Sequence, residues 1–360
     1  DRWLSALIAT VEVIPIYFWS LVQLTRLLDR VRYVRFPGMQ NRLHYMGGIL
    51  NRVTTERRNK DWVAEQLDHA ETRVLPVWRE KNLIVGEEAE AVMATGAEAR
   101  DVLERAGQVV LLGVNDGIAY VAADLSHHEE EALVDLSGPS IFVDLRQVGP
   151  TMERHQATLL AYARGISFWH KRQRYCGDCG SETESLHGGH MRQCLNPDCA
   201  REHFPRTDPA VIMLVHRVRD GKDSVIMAHK PNFPKGIYSI LAGFVDPGES
   251  LEEAVIREVY EESGLYVADV KYQGSQPWPF PASLMVGFTA RATTDEITLE
   301  EEELPDAGWR GQTPSPEFSS MIGSPGRCQF KTTLNRLLQK CRFLGGTGRR
   351  GRRPEFLLPW

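Results

Sequence analysis

The sequence reads as an α+β protein of several domains, and three features carry that reading. Apolar runs of strand length are punctuated by turn residues, as in "VVLLGVNDGIAYVAADL". Two segments have helical spacing, one long and one short and crowded with carboxylates. Four of the six cysteines fall in a single cluster between them. The 360 residues are long enough for two or more domains, and 42% hydrophobic with 25% charged residues is the balance of a globular chain with a real core. A net charge of −6 argues against broad polyanion binding, although "GRRGRRPEF" near the end is a local basic patch.

Residues 1–42 read as an extension. Its opening, "DRWLSALIATVEVIPIYFWSLVQL", is apolar, but Glu12 and Pro15 interrupt it. A carboxylate mid-span costs roughly 2.5–3.5 kcal/mol on insertion scales. With no basic stretch ahead of it and no small-residue cleavage site, a buried or disordered extension is expected rather than a membrane span or signal peptide. Residues 43–171 form an irregular α+β domain. Its strands lie at Val109–Val114 and Ile118–Leu125, joined through Asn115-Asp116-Gly117, and in "GPSIFVDL"; "MERHQATLLAYARGISFWHKRQ" is its helix.

The cysteines, Cys176, Cys179, Cys194 and Cys199, are spaced C-x2-C-x14-C-x4-C. Two close pairs on turns, separated by a loop, are how a zinc ribbon presents four thiolates to one ion, so residues 172–204 are read as a closed, structural Zn²⁺ site. Its role is to hold the domains on either side together. Unpaired clustered thiols also imply a reducing compartment, and a cytoplasmic location is expected. Cys328 and Cys341 stand apart.

Residues 205–310 open with a hairpin, Ala210–His216 against Ser224–Ala228 about Asp220-Gly221. The short helix follows. Ser250 with Glu253 makes a capping box, Gly264 a C-terminal stop, and Leu251, Ala254, Val255 and Val259 an apolar stripe. Glu258, Glu261 and Glu262 share one face at i, i+3 and i+4, with Glu249, Glu252 and Glu253 nearby. Like charges so spaced repel each other, and a hard divalent cation relieves the repulsion; Mg²⁺ takes carboxylate oxygens and completes its shell with water and substrate phosphates. Arg257 is placed to orient Glu261. A strand in "LMVGFTARAT" and the acidic loop "DEITLEEEELPDAGW" follow, then residues 311–360, a tail rich in Gly, Pro and Arg.

From Gly243 the residues fit G-x5-E-x7-R-E-U-x-E-E-x-G-U, where U is aliphatic, through Gly243, Glu249, Arg257, Glu258, Val259, Glu261, Glu262, Gly264 and Leu265. That pattern is the Nudix box. Beyond it, "SQPWPFPASLM" resembles the signature of the NADH pyrophosphatase family, which includes NAD-cap-removing enzymes. The resemblance runs from about Leu43 to Trp309 and includes the cysteine cluster and "HFPRTDPAVIM"; the tail departs from the family's pattern. It implies a Nudix α/β/α sandwich with a mixed sheet, preceded by a zinc ribbon and an N-terminal NADH pyrophosphatase-like α+β domain.

The resemblance further implies a Mg²⁺- or Mn²⁺-dependent cut of the pyrophosphate of NADH or NAD⁺, giving nicotinamide mononucleotide and AMP. On NAD-capped RNA the second product would be a 5′-monophosphate RNA. Residue by residue, Glu258, Glu262 and Glu303 would hold the metal, with Glu261 and Glu249 close by and the Ala242 carbonyl contributing; Glu302 is the alternative to Glu303. Glu261 or Glu262 would be the general base. Phe204 and Phe244 would sandwich the nicotinamide ring, and Gln276, Pro277, Trp278, Pro279, Phe280, Pro281, Ala282 and Ser283 would line the substrate as a stiff aromatic wall. Arg146 matches a substrate-contacting arginine. A homodimer with no stable membrane partner is implied. Two other readings stay open: a pyrophosphatase for other dinucleotides or nucleotide sugars, and a non-catalytic RNA- or nucleotide-binding regulator.

Overall fold

Strands buried on both faces read as unbroken apolar runs, and the N-terminal sheet shows why. It comprises β1 (Arg73–Trp78), β2 (Lys81–Val85), β3 (Glu90–Ala91), β4 (Gln108–Asn115), β5 (Ile118–Asp124) and β6 (Ile141–Val143). The order is β3-β2-β1-β5-β4, with β6 on β2 and a parallel pairing of β1 with β5. Leu75, Val77, Leu112 and Tyr120 face one apolar cluster, while Val74, Leu111, Ala119 and Val121 face another on the opposite side. Asp116 and Gly117 both take positive φ, 49° and 80°, at the tight turn between β4 and β5. The computed structural model describes residues 43–137, 139–231, 238–299 and 305–311. The extension, Glu302, Glu303 and almost all of the tail lie outside them.

Three helices cover this sheet: α1 (Lys60–Asp68), α2 (Gly96–Arg105) and α3 (Arg154–Arg172). The Asn59 side chain caps α1 by accepting from the Asp61 and Trp62 amides. Helix α3 buries Leu159, Leu160, Ala163, Ile166 and Trp169 in the cluster that also holds Leu75 and Leu112. No helix among the described residues is long and apolar enough to cross a membrane.

The cysteine segment forms a three-stranded sheet, β7 (Thr183–Leu186), β8 (Met191–Cys194) and β9 (Glu202–His203). Buried polar groups tie it to the N-terminal domain. His190 Nε2 bonds the Leu111 carbonyl at 2.8 Å, His170 Nε2 the Gly189 carbonyl at 2.7 Å, and Arg192 Nη1 lies 3.0 Å from His170 Nδ1. Burial pushes the pKa of both histidines down to about 4, so each is neutral near pH 7.

The remaining domain is a mixed sheet, β10 (Asp208–Arg219), β11 (Lys222–His229), β12 (Leu241–Phe244), β13 (Val267–Trp278), β14 (Ser283–Ala292) and β15 (Asp306–Gly311), with the helix α4 (Leu251–Ser263). Its order is β13-β14-β10-β11-β15, with β12 on β10 and β10 parallel to β14. Ala254, Val255 and Val259 of α4 pack with Val211, Met213 and Phe288 of the sheet. The "SQPWPFPAS" segment is the end of β13, a tight turn and the start of β14, with Trp278 paired to Ser283, rather than a free-standing wall.

Candidate active site

Local chemistry sets the helix that carries the carboxylates. Ser250 Oγ accepts from the Glu253 amide while the Glu253 carboxylate accepts from the Ser250 amide, so two orphan donors at the N-terminus are satisfied reciprocally. Gly264 ends α4 at φ 67°, a left-handed conformation that favours glycine. In between, the period of α4 points Val255 and Val259 inward and Glu258 and Glu262 toward β12.

Arg257 organises this face. Its guanidinium donates to both oxygens of Glu249 at 2.6 and 2.8 Å, to Glu258 Oε1 and Glu261 Oε2 at 2.9 Å each, and to the Phe244 carbonyl at 2.9 Å. The Arg257 hydrogen bonds hold the Glu249 carboxyl down at about 2. Glu249 is therefore engaged by arginine through both of its oxygens. Glu258 lies over β12 at Gly243, where a Cβ would stand 1.9 Å from the Glu258 Cδ. The first glycine of the box is there because the carboxylate needs its space.

Glu262 is enclosed, with 2% of its side chain exposed, whereas 49% of the Glu261 side chain is open. Lys230, just after β11, places Nζ 3.1 Å from Glu262 Oε1 and 3.3 Å from the Ala242 carbonyl. A cation thus already sits on two of the oxygens expected to share a divalent ion, so the donor set fits a metal. Nothing in the sequence motif pointed to Lys230. Glu303 lies outside the described residues.

The aromatic positions divide. Phe244, at the end of β12, and Phe204, after β9, are 52% and 57% exposed. Pro277 and Pro281 are exposed and Trp278 is half-buried, while Gln276 and Ser283 are buried, Gln276 donating to the His44 carbonyl at 3.3 Å. Phe280 corrects the expectation of an aromatic wall: at 2% exposed it is a member of the N-terminal core, edge-on to Tyr45 and Trp278. Its ring packs into that core instead of standing exposed.

Arg164 on α3, 4% exposed, pins this turn. It donates to the Pro279 and Glu80 carbonyls and lies 4.7 Å from the centre of the Phe280 ring. Arg146 pairs with Asp144 through Nη2 at 2.5 Å and lies 5.8 Å from the same ring. The structure therefore puts Arg146 against the residue that anchors the turn. Arg164 carried no sequence signal, because its partners are distant in the chain.

The four cysteine sulfurs lie within 4.8 Å of one another, Cys176 and Cys199 at 3.7 Å and Cys179 and Cys194 at 3.4 Å. Four thiolates about 2.3 Å from one ion stand roughly 3.8 Å apart, so the cluster is built to bind zinc.

Three family models match in succession: an NADH pyrophosphatase-like rudimentary NUDIX domain over residues 71–169, an NADH pyrophosphatase zinc ribbon domain over 171–204 and a NUDIX domain over 206–311. Among similar proteins, NAD-capped RNA hydrolase NUDT12 of Homo sapiens is 29% identical over 339 residues, covering 81% of this chain and 72% of its own. NAD-capped RNA hydrolase NudC of Pseudomonas aeruginosa is 42% identical over 176 residues, 49% of this chain and 61% of its own. NAD-capped RNA hydrolase NudC of Mycobacterium bovis is 41% identical over 203 residues, 56% of this chain and 63% of its own. The chain thus spans less than two thirds of the two bacterial proteins. With all three domain types matched in consecutive order, the chain belongs to the Nudix hydrolase superfamily, in its NADH pyrophosphatase family.

Proposed function

We propose that this protein hydrolyses the pyrophosphate bond of NADH or NAD⁺ to nicotinamide mononucleotide and AMP, and removes NAD caps from RNA 5′ ends. The observation that carries the proposal is the convergence of Glu258, Glu262 and the Ala242 carbonyl behind the Arg257 hub. Those groups, with Glu303, would hold Mg²⁺ or Mn²⁺. Bound there, a divalent ion supplies charge neutralisation at the phosphates and lowers the pKa of an attacking water.

The chain's own residues do the rest. Glu261, half open and held by Arg257 Nη1, takes the proton of the attacking water, while the more enclosed Glu262 serves as a ligand. Water adds to one phosphorus, the bridging P–O bond breaks, and the other phosphate leaves. Phe244 and Phe204 offer ring faces for nicotinamide, and the Arg257 bond to the Phe244 carbonyl fixes one ring relative to the carboxylates. We also propose the domain division at 43–171, 172–204 and 205–310, a homodimer, which sedimentation would detect, and a cytoplasmic setting that keeps the thiols reduced.

The test is incubation with NADH and Mg²⁺ or Mn²⁺, following AMP and nicotinamide mononucleotide. Absence of both products, with zinc bound and the chain folded, overturns the proposal. Base–aromatic stacking predicts that Phe244→Ala lowers kcat/KM for NADH by roughly 5- to 150-fold. Diadenosine diphosphate should lose less. Equal losses would favour a general dinucleotide pyrophosphatase.

A further inference from the structure

Lys230 sits where the proposed metal chemistry would least tolerate a bystander. Its ammonium spans the Glu262 carboxylate at 3.1 Å and the Ala242 carbonyl at 3.3 Å, while Arg257 occupies Glu249, Glu258 and Glu261 on the same face. A carboxylate as enclosed as that of Glu262 requires a nearby counter-charge, since a buried unpaired charge is strongly destabilising. Lys230 supplies one. Yet a Mg²⁺ ion takes its oxygen ligands at about 2.0–2.1 Å, and an ammonium left on the same two oxygens would lie within a few ångströms of a double positive charge. Both cations cannot share those oxygens.

We propose that Lys230 is the resident counter-ion of the metal site: its ammonium satisfies Glu262 and Ala242 until a divalent ion displaces it, so that metal loading is a cation exchange. The inference rests on reading Glu262 and the Ala242 carbonyl as metal ligands. Its consequence is that Lys230 weakens intrinsic metal affinity while protecting the metal-free fold. The flexible stem of lysine suits such an exchange better than the planar fork of Arg257, which is fixed by four partners.

Two measurements on the full chain test this. Mn²⁺ binding, followed by electron paramagnetic resonance without substrate, should be at least about fivefold tighter in Lys230→Met than in wild type. The metal-free variant should melt lower than wild type and gain more from saturating Mn²⁺. In the wild type itself, mass spectrometry should show faster acetylation of Lys230 once Mg²⁺ saturates the site. This second measurement stands even if the variant does not fold. Equal or weaker Mn²⁺ binding in a folded variant, or acetylation that Mg²⁺ leaves unchanged or slows, overturns the exchange while the metal site stands. A wild type that binds no Mn²⁺ removes the metal reading and the exchange together.

Discussion

Arg257 grips Glu249 with two hydrogen bonds, Nε to Oε1 at 2.6 Å and Nη2 to Oε2 at 2.8 Å, and turns Nη1 to Glu258 and Glu261, the carboxylates assigned to metal and water. On the proposed reading, Glu249 acts through the arginine. Glu249→Gln is expected to lower kcat by roughly 10- to 100-fold, the usual cost of losing a group that orients ligands, with a smaller change in KM for NADH. A loss as deep as that of Glu262→Gln would make Glu249 a ligand in its own right.

Glu262→Gln keeps the shape of the side chain and removes its charge. Turnover is expected to fall below about a tenth of wild type with the near-ultraviolet circular dichroism preserved. Steady-state assays at saturating Mn²⁺ check this, and a variant above that level would take Glu262 out of the essential set.

Gly243→Ala places a Cβ 1.9 Å from the Glu258 Cδ, so the carboxylate must move. Displacing a catalytic group by an ångström can cost about a hundredfold. The expected result is a loss of that order in kcat with weakened Mn²⁺ binding and a small change in Tm, read by assay, paramagnetic resonance and calorimetry. Retained activity would show that Glu258 can be spared or re-seated.

Cys194→Ser removes one of four clustered sulfurs. A structural zinc site contributes folding free energy directly, so zinc content should fall and Tm should drop by roughly 5 °C or more. Unchanged melting with lost activity would instead make the ribbon a functional module.

His170 and His190 give the chain an acid limit. Their pKa is lowered by burial to about 4 against an ordinary 6.5, so between those values the unfolded chain takes up protons that the folded chain refuses. Stability from these groups is complete above about 6.5 and is lost as pH falls toward 4. Urea unfolding of the zinc-loaded protein from pH 7 to pH 5 should show this decline, and His170→Gln should flatten it. An unaltered slope would assign the acid sensitivity elsewhere.

Helix α4 was legible to its ends because its signals are local: Ser250 and Glu253 are three residues apart, and Gly264 needs only its own φ. The turn at Asp116-Gly117 was legible for the same reason. Arg164, Lys230 and the burial of Phe280 were not. The Arg164 partner Pro279 is 115 residues away, and the Lys230 partner Ala242 is reached only once β12 and β11 pair with successive stretches of β10 on the edge opposite β14. An aromatic ring in a proline-rich stretch reads equally well as a wall or as a plug. Only the neighbouring domain decides which, and the strands β1 to β3 that build its sheet have no motif to announce them.

Phe280 belongs by sequence to the catalytic domain and by packing to the domain before it. The chain is therefore not a string of interchangeable modules. Residues 206–311 expressed alone would keep the carboxylate face but lose the socket around Phe280 and the Arg164 clasp on Pro279. An engineer grafting a new N-terminal partner onto this hydrolase would inherit its metal chemistry and forfeit the seating of its signature turn. By the same reasoning, gene fusion or shuffling that separated the halves would meet selection at the interface around Phe280.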